Sequence, residues 1–252
     1  MKMTDNTILI TGGGSGIGRG LAEAFHDLGN QVIIAGRDGK KLAETTGANP
    51  GMKSLTADVA NLESIKLLAA EVAAQFPQLN AVIHNAGVSI TEDLLGGKDI
   101  QADTELMVNT NLLGPMRLTQ ELLPILLKQS SATIMTVSSG LAFIPRASNP
   151  TYCATKAAIH SYTESLRHQL RETAVQVIEL IPPYVATFLQ GEHQANDPHA
   201  MPLGEYINET MEILKTQPEA TEVLVKRVHQ LRFAAEDGQE KYDELFKQRN
   251  DG

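Results

Sequence analysis

The run Thr11-Gly12-Gly13-Gly14-Ser15-Gly16-Ile17-Gly18 constrains this chain more than any other feature. A short apolar stretch, Ile8-Leu9-Ile10, precedes it, and a helical pattern over residues 17–28 follows. Strand, glycine turn and helix in that order aim backbone N–H groups at a helix N-terminus, where the dipole favours an anion. Side chains would hold a pyrophosphate away, so glycine is needed at the turn and at the closest approach. Gly12, Gly14, Ser15, Gly16, Ile17 and Gly18 are the expected phosphate-binding set. A P-loop is the rival cradle. Gly13 and Gly18 have its four-residue gap, but Arg19-Gly20 stands where Lys-Ser/Thr is required.

The same alternation continues along the chain. Val32-Ile33-Ile34-Ala35, Ala81-Val82-Ile83 and residues 133–137 and 175–181 are apolar runs rich in β-branched residues, which reads as buried strands. Residues 53–57 form a weaker sixth run. Helical patterns fill 61–76, 103–127 and 152–171. This predicts an α/β fold: a Rossmann-like, doubly wound parallel sheet of six to seven strands with helices on both faces. The 252 residues read as one domain, with 188–252 a substrate loop and helical C-terminal region. Residues 190–202 are polar and read as a loop, and 205–216 as a helix. Residues 222–225 are either a seventh strand or part of one helix over 220–232.

The net charge of −9 is unevenly placed. Residues 1–189 carry 14 basic and 17 acidic side chains, and residues 190–252 carry 7 and 13. Nucleic acid is not an expected partner, because phosphate contacts need a basic face. Cys153, the single cysteine, excludes an internal disulfide and multi-cysteine metal sites. The seven histidines show no metal-ligand spacing, so no metal is expected. His26, His160, His168 and His229 read as surface or helix-packing residues, and His193 and His199 as loop residues. Without a leader-like N-terminus or a run of about 20 apolar residues, the expected location is cytoplasmic, with no membrane insertion.

The second strand ends Ala35-Gly36-Arg37-Asp38. An acidic residue at the end of this strand favours NAD through the ribose 2′-OH, whereas an arginine favours the extra phosphate of NADP. Arg37 therefore makes NADP(H) the preferred cofactor and NAD(H) the alternative, with Arg19 or Lys40 as further local cations. Asp38 is placed to neutralise Arg37 in part. Tyr152 and Lys156, four apart on a helix, share a face. An ammonium beside a phenol favours phenolate and lowers its pKa, which suits Tyr152 to acid/base work.

Thr11-Gly12-x-x-x-Gly16-x-Gly18, Asn85-Ala86-Gly87, Asn111, Ser138-Ser139 and Tyr152-x-x-x-Lys156 together resemble the short-chain dehydrogenase/reductase family, the branch of about 250 residues. The resemblance covers residues 5–190. It implies an oxidoreductase acting on a carbonyl or secondary alcohol, with Asn111, Ser139, Tyr152 and Lys156 catalytic and Ser139 preferred over Ser138. It further implies Asp58 and Val59 at the adenine and Asn85, Ala86 and Gly87 beside the cofactor. Tyr152 and Lys156 would also touch the cofactor, and Val185 and Thr187 would contact its carboxamide. A homodimer or homotetramer follows by the same resemblance. The first 18 residues also resemble bacterial oxidoreductases associated by name with D-alanine esterification of lipoteichoic acid, an association that gives no substrate.

Three further readings follow. Pro115 lacks the N–H that would bond the Asn111 carbonyl, so that carbonyl is expected to be free for the family's proton relay. Pro182-Pro183 stands where the family usually has Pro-Gly, which stiffens the entry to the substrate loop. Phe143, Ile144 and Tyr184 line either the substrate pocket or the core. The rival function is a non-catalytic NADP-sensing protein on the same fold, against which Ser139, Tyr152 and Lys156 argue. Sugar-nucleotide epimerisation is a third reading, but those relatives have longer chains and a different glycine spacing.

Overall fold

The computed structural model describes residues 1–97 and 99–251. Each of the six apolar runs is a strand: β1 (Thr7–Thr11), β2 (Gln31–Gly36), β3 (Lys53–Thr56), β4 (Ala81–His84), β5 (Ala132–Val137) and β6 (Val175–Leu180). A two-residue strand β7 (Glu222–Val223) completes a parallel sheet ordered β3-β2-β1-β4-β5-β6-β7. The order reverses between β1 and β4. Their carboxyl ends therefore diverge into a crevice, the place where such sheets bind ligands.

The helices α1 (Gly16–Asp27), α2 (Gly39–Ala48), α3 (Leu62–Gln75), α4 (Gln101–Val108), α5 (Gly114–Leu126) and α6 (Pro150–Leu170) are followed by α7 (Glu192–Ala195), α8 (Leu203–Thr216), α9 (His229–Arg232) and α10 (Gln239–Asn250). Alternation along β1 shows why both sheet faces are covered. Ile8 and Ile10 pack with Leu21 and Phe25 of α1 and Tyr206 and Ile207 of α8. Leu9 packs on the other face, with Ile65 of α3, Leu118 of α5 and Leu166 of α6. All three β1 residues are fully buried, each worth about 1.5–3 kcal/mol in area terms.

Three segments differ from the sequence pattern. The pattern over 103–127 begins two residues earlier and contains a π turn, Asn109–Leu113, directly before Gly114 and Pro115. Gly114 N–H reaches back to Asn109 O, so one extra residue is accommodated where Pro115 cannot donate. The helix alternative for 220–232 is not adopted. Glu179 N–H bonds Thr221 O at 2.9 Å and Ile181 N–H bonds Val223 O at 3.2 Å, which recruits the segment to the sheet edge. The polar loop 190–202 contains the single turn α7. Among the described residues no helix is long and apolar enough to cross a membrane.

Candidate active site

The glycine loop folds as the phosphate cradle requires. Ser15 caps α1 through its backbone only, and the first turn holds no acidic residue. Several orphan N–H groups and the positive end of the dipole are thus left for an anion. Gly12 has φ +68°, and a Cβ there would lie 2.9 Å from Ala86 Cα. A Cβ on Gly18 would collide with the Gly12 carbonyl and Asn85 Nδ2. Gly18 therefore serves close packing behind the loop. Thr11 Oγ1 accepts the N–H groups of Asn85 and Ala86, both at 3.1 Å, and Asn85 Nδ2 donates to Thr11 O at 3.0 Å. The Asn85-Ala86-Gly87 turn is in this way stitched to the glycine loop.

A cleft of about 910 Å³ runs from this loop along the carboxyl ends of the strands. Gly12, Ser15, Gly16, Ile17, Asn85, Ala86 and Gly87 line one end. Ser139, Tyr152, Lys156, Val185 and Thr187 line it further along. A smaller cavity of about 180 Å³ shares Gly12, Ser15, Ala86 and Gly87 and adds Gly14, Arg37, Asp58 and Val59. The loop between the two cavities fits a pyrophosphate. Gly18 and Asn111 reach neither surface.

Tyr152 and Lys156 project from α6 into the cleft and are only 6% and 4% exposed. Lys156 Nζ donates to Val137 O at 2.7 Å and lies 5.6 Å from the centre of the Tyr152 ring. Burial pulls the Lys156 pKa down to about 8, with Glu179 opposing. The expected lowering of the Tyr152 pKa is not found. Burial pushes it above the ordinary phenol value, and the facing Ser139 hydroxyl is the smaller, opposing influence. The Lys156 ammonium is bonded to the Val137 carbonyl rather than to the phenol, and burial of the phenol prevails. Ser139 Oγ accepts Leu141 N–H at 3.1 Å, while the buried Ser138 Oγ has no partner among the described residues.

Asn111 sits in the π turn, and its side chain holds other groups in place. Its Oδ1 accepts Val88 N–H at 2.9 Å, and its Nδ2 donates to Val88 O at 2.9 Å and Thr155 Oγ1 at 3.1 Å. The amide thus locks the loop after β4 to α6.

The family model for short chain dehydrogenases matches residues 6–198. The chain belongs to the short-chain dehydrogenase family. The uncharacterized oxidoreductase DltE of Bacillus subtilis (strain 168) is 40% identical over 254 residues, covering 99% of this chain and 98% of its own. A short-chain dehydrogenase/reductase of Burkholderia phymatum in complex with NAD aligns with TM-score 0.80 and 25% identity over 99% of this chain and 98% of its own. One of Burkholderia cenocepacia J2315 in complex with NADP aligns with TM-score 0.80 and 22% identity over the same shares.

Lys41 and Gln194 line the cleft without any sequence signal of their own. Lys41 lines both cavities, where Arg19 or Lys40 was expected. Arg19 is instead paired with Glu23 at 2.7 Å. Among the described residues Asp38 forms no ion pair with Arg37. Its carboxylate caps α2 by accepting Lys40 and Lys41 N–H. Tyr184 lines the cleft, whereas Phe143 packs on the His160 ring at 4.8 Å and Ile144 is buried against Ala234 and Leu245. Val185 is held by Gln194, whose Nε2 donates to its carbonyl at 2.8 Å. Cys153 is a packed residue of α6.

Behind Lys156, the fully buried Glu179 accepts from His160 Nδ1 at 2.8 Å. His160, Glu179 and Glu222 bring ligand atoms within 4.8 Å of one another. Arg232 already grips Glu222 through two bonds of 2.8 and 3.0 Å, so the cluster works as an ion-pair network. The bond to Glu179 raises the His160 pKa, with burial opposing. A raised folded-state pKa stabilises fully below the unfolded value of about 6.5 and is lost as pH rises through the folded value. The stability gap between wild type and His160→Gln is therefore expected to be wider at pH 6 than at pH 9. Urea denaturation at the two pH values reads it, and a gap that widens with pH contradicts the pairing.

Proposed function

We propose that the chain is an NADP(H)-dependent oxidoreductase interconverting a carbonyl compound and a secondary alcohol, with Tyr152 as acid/base. The observation that carries this reading is the convergence of Ser139, Tyr152 and Lys156 on one cleft with the glycine loop. Arg37 and Lys41 in the smaller cavity support the 2′-phosphate of NADP, since neither forms an ion pair among the described residues. A bound nicotinamide would supply the hydride to the carbonyl carbon in reduction and accept it in oxidation.

The protein's part is to bind and to move the proton. The Ser139 hydroxyl donates to the substrate oxygen and stabilises the charge that develops there. Tyr152, kept neutral by burial, is in the form that gives its proton to that oxygen as the C–O double bond becomes a single bond. In oxidation the same proton returns to the phenolate. Lys156, with a pKa near 8, can recharge Tyr152 close to neutral pH. Asn111 would continue the relay through its main-chain carbonyl: Pro115 has no N–H to offer it, and in the π register the next donor is the Met116 N–H. The family resemblance carries with it a cytoplasmic homodimer or homotetramer.

The test is a panel of ketones and aldehydes incubated with NADPH carrying deuterium at both nicotinamide C4 positions. Deuterium on the alcohol carbon of a product supports the proposal. NADPH loss without deuterium in any product, or no consumption across the panel, overturns it.

A further inference from the structure

The outer end of the main cleft is cationic, although the chain has a net charge of −9. Arg146 lies on the segment between β5 and α6, and Arg249 lies in the last turn of α10. Both face the cleft. Burial, and then the nearby Arg146 charge, push the Arg249 guanidinium below its ordinary pKa. Neither arginine forms an ion pair among the described residues. Among those residues Asp197 is the one carboxylate lining the cleft. It accepts from the Tyr184 hydroxyl at 3.1 Å and from His199 N–H at 2.8 Å.

The two arginines are brought together by construction. Asn250, next to Arg249, accepts Ala147 N–H through Oδ1 at 2.6 Å. Its Nδ2 donates to Pro145 O at 3.2 Å. One side chain at the end of α10 thus grips the residues on both sides of Arg146. Cys153, the neighbour of Tyr152, holds the same segment from the other direction by accepting Arg146 N–H at 3.2 Å. The anchor that ties Arg146 down therefore belongs to the helix that carries Tyr152. Like charges repel, and a fold that fixes the two segments bearing these guanidiniums side by side, with no carboxylate ion-paired to either among the described residues, leaves room for an anion. Guanidinium forks suit carboxylate and phosphate oxygens above other partners.

We propose that the substrate is an anion whose carboxylate or phosphate docks between Arg146 and Arg249 while its carbonyl or hydroxyl carbon meets Ser139 and Tyr152. This rests on the reading of the cleft as a carbonyl/alcohol site. It narrows the substrate class to keto or hydroxy compounds bearing an acid group. Arg227 adds a third cation to the same rim, its guanidinium donating to His199 O at 2.8 Å.

Two arms test it, and each has its own readout. In the first, with saturating NADP+ present to fill the glycine loop and the Arg37/Lys41 pocket, inorganic phosphate and malonate are titrated separately into wild type and the Arg146→Gln/Arg249→Gln variant, with the melting temperature as signal. A saturable rise with at least one anion in wild type is expected, with an apparent Kd raised about tenfold or more in the variant. Response to phosphate alone selects a phosphorylated substrate, and response to malonate alone a carboxylic acid. No saturable rise with either anion, or an equal rise in the variant, overturns the proposal. In the second arm a keto acid and its methyl ester are compared as substrates. The acid-to-ester ratio of kcat/KM is expected to fall about tenfold or more in the variant. An unchanged ratio contradicts anion docking. Absence of turnover on both compounds counts against the catalytic reading, and the first arm still decides whether the arginines bind an anion.

Discussion

Tyr152→Phe is expected to lower carbonyl reduction by about 10²–10⁴-fold, the usual worth of a positioned proton donor. NADPH affinity should stay within about twofold, because the change removes one hydroxyl and keeps the ring. The ring packs with Met107 and Cys153 in a small cluster beside the cleft, so phenylalanine preserves the packing. The hydroxyl meets the facing Ser139 side chain and opens on the cleft, so its loss leaves no protein acceptor stranded in the core. Steady-state kcat/KM with matched NADPH titrations measures both effects. Retention of more than about a tenth of wild-type turnover would remove Tyr152 from the chemistry.

The second large effect concerns cofactor choice. Arg37 and Lys41 are both exposed on the rim of the smaller cavity, so each contact to a 2′-phosphate belongs at the low end for charged hydrogen bonds, about 1.5 kcal/mol. Arg37→Ala/Lys41→Ala should therefore weaken NADPH binding roughly 10²-fold, while NADH binding changes by less than about threefold. Asp38 is left intact in this variant because its carboxylate caps α2. Equal losses for the two nucleotides would mean that these cations act on the shared pyrophosphate and do not select NADP.

Much of the architecture was legible because local pattern and global packing agree. Ile8, Leu9 and Ile10 read as a strand, and they occupy both cores because the sheet is covered on both faces. The pattern over 61–76 met its ends well, since Asn61 caps α3 by accepting Ser64 N–H and Phe76 closes it. The order of glycine loop, Ser139, Tyr152 and Lys156 pointed to one crevice, and all of them line one cleft. The family itself was readable from that order.

What escaped had no local signature. The α2 segment, with glycines at both ends and two threonines, carries little helical signal, so Lys41 had no assigned place beside Arg37. Asp38 looked like a neighbour able to cancel Arg37, but an Asp before a helix is drawn to its N–H groups. Arg146 and Arg249 are far apart in sequence, and the Asn250 clamp, together with the packing of Ile144 on Leu245, unites their segments. The Tyr152 pKa depends on burial, which residue spacing does not report. The two-residue length of β7 reflects an edge position whose pairing rests on Thr221 and Val223 carbonyls.

Fluorescence titration of wild type with NADPH and with NADH tests the central assignment most directly. The chain contains no tryptophan, so nucleotide emission is read with little protein background. Saturable enhancement with NADPH, at a Kd about tenfold or more below that for NADH, is the expected result. A flat titration with both nucleotides, or tighter binding of NADH, would contradict it.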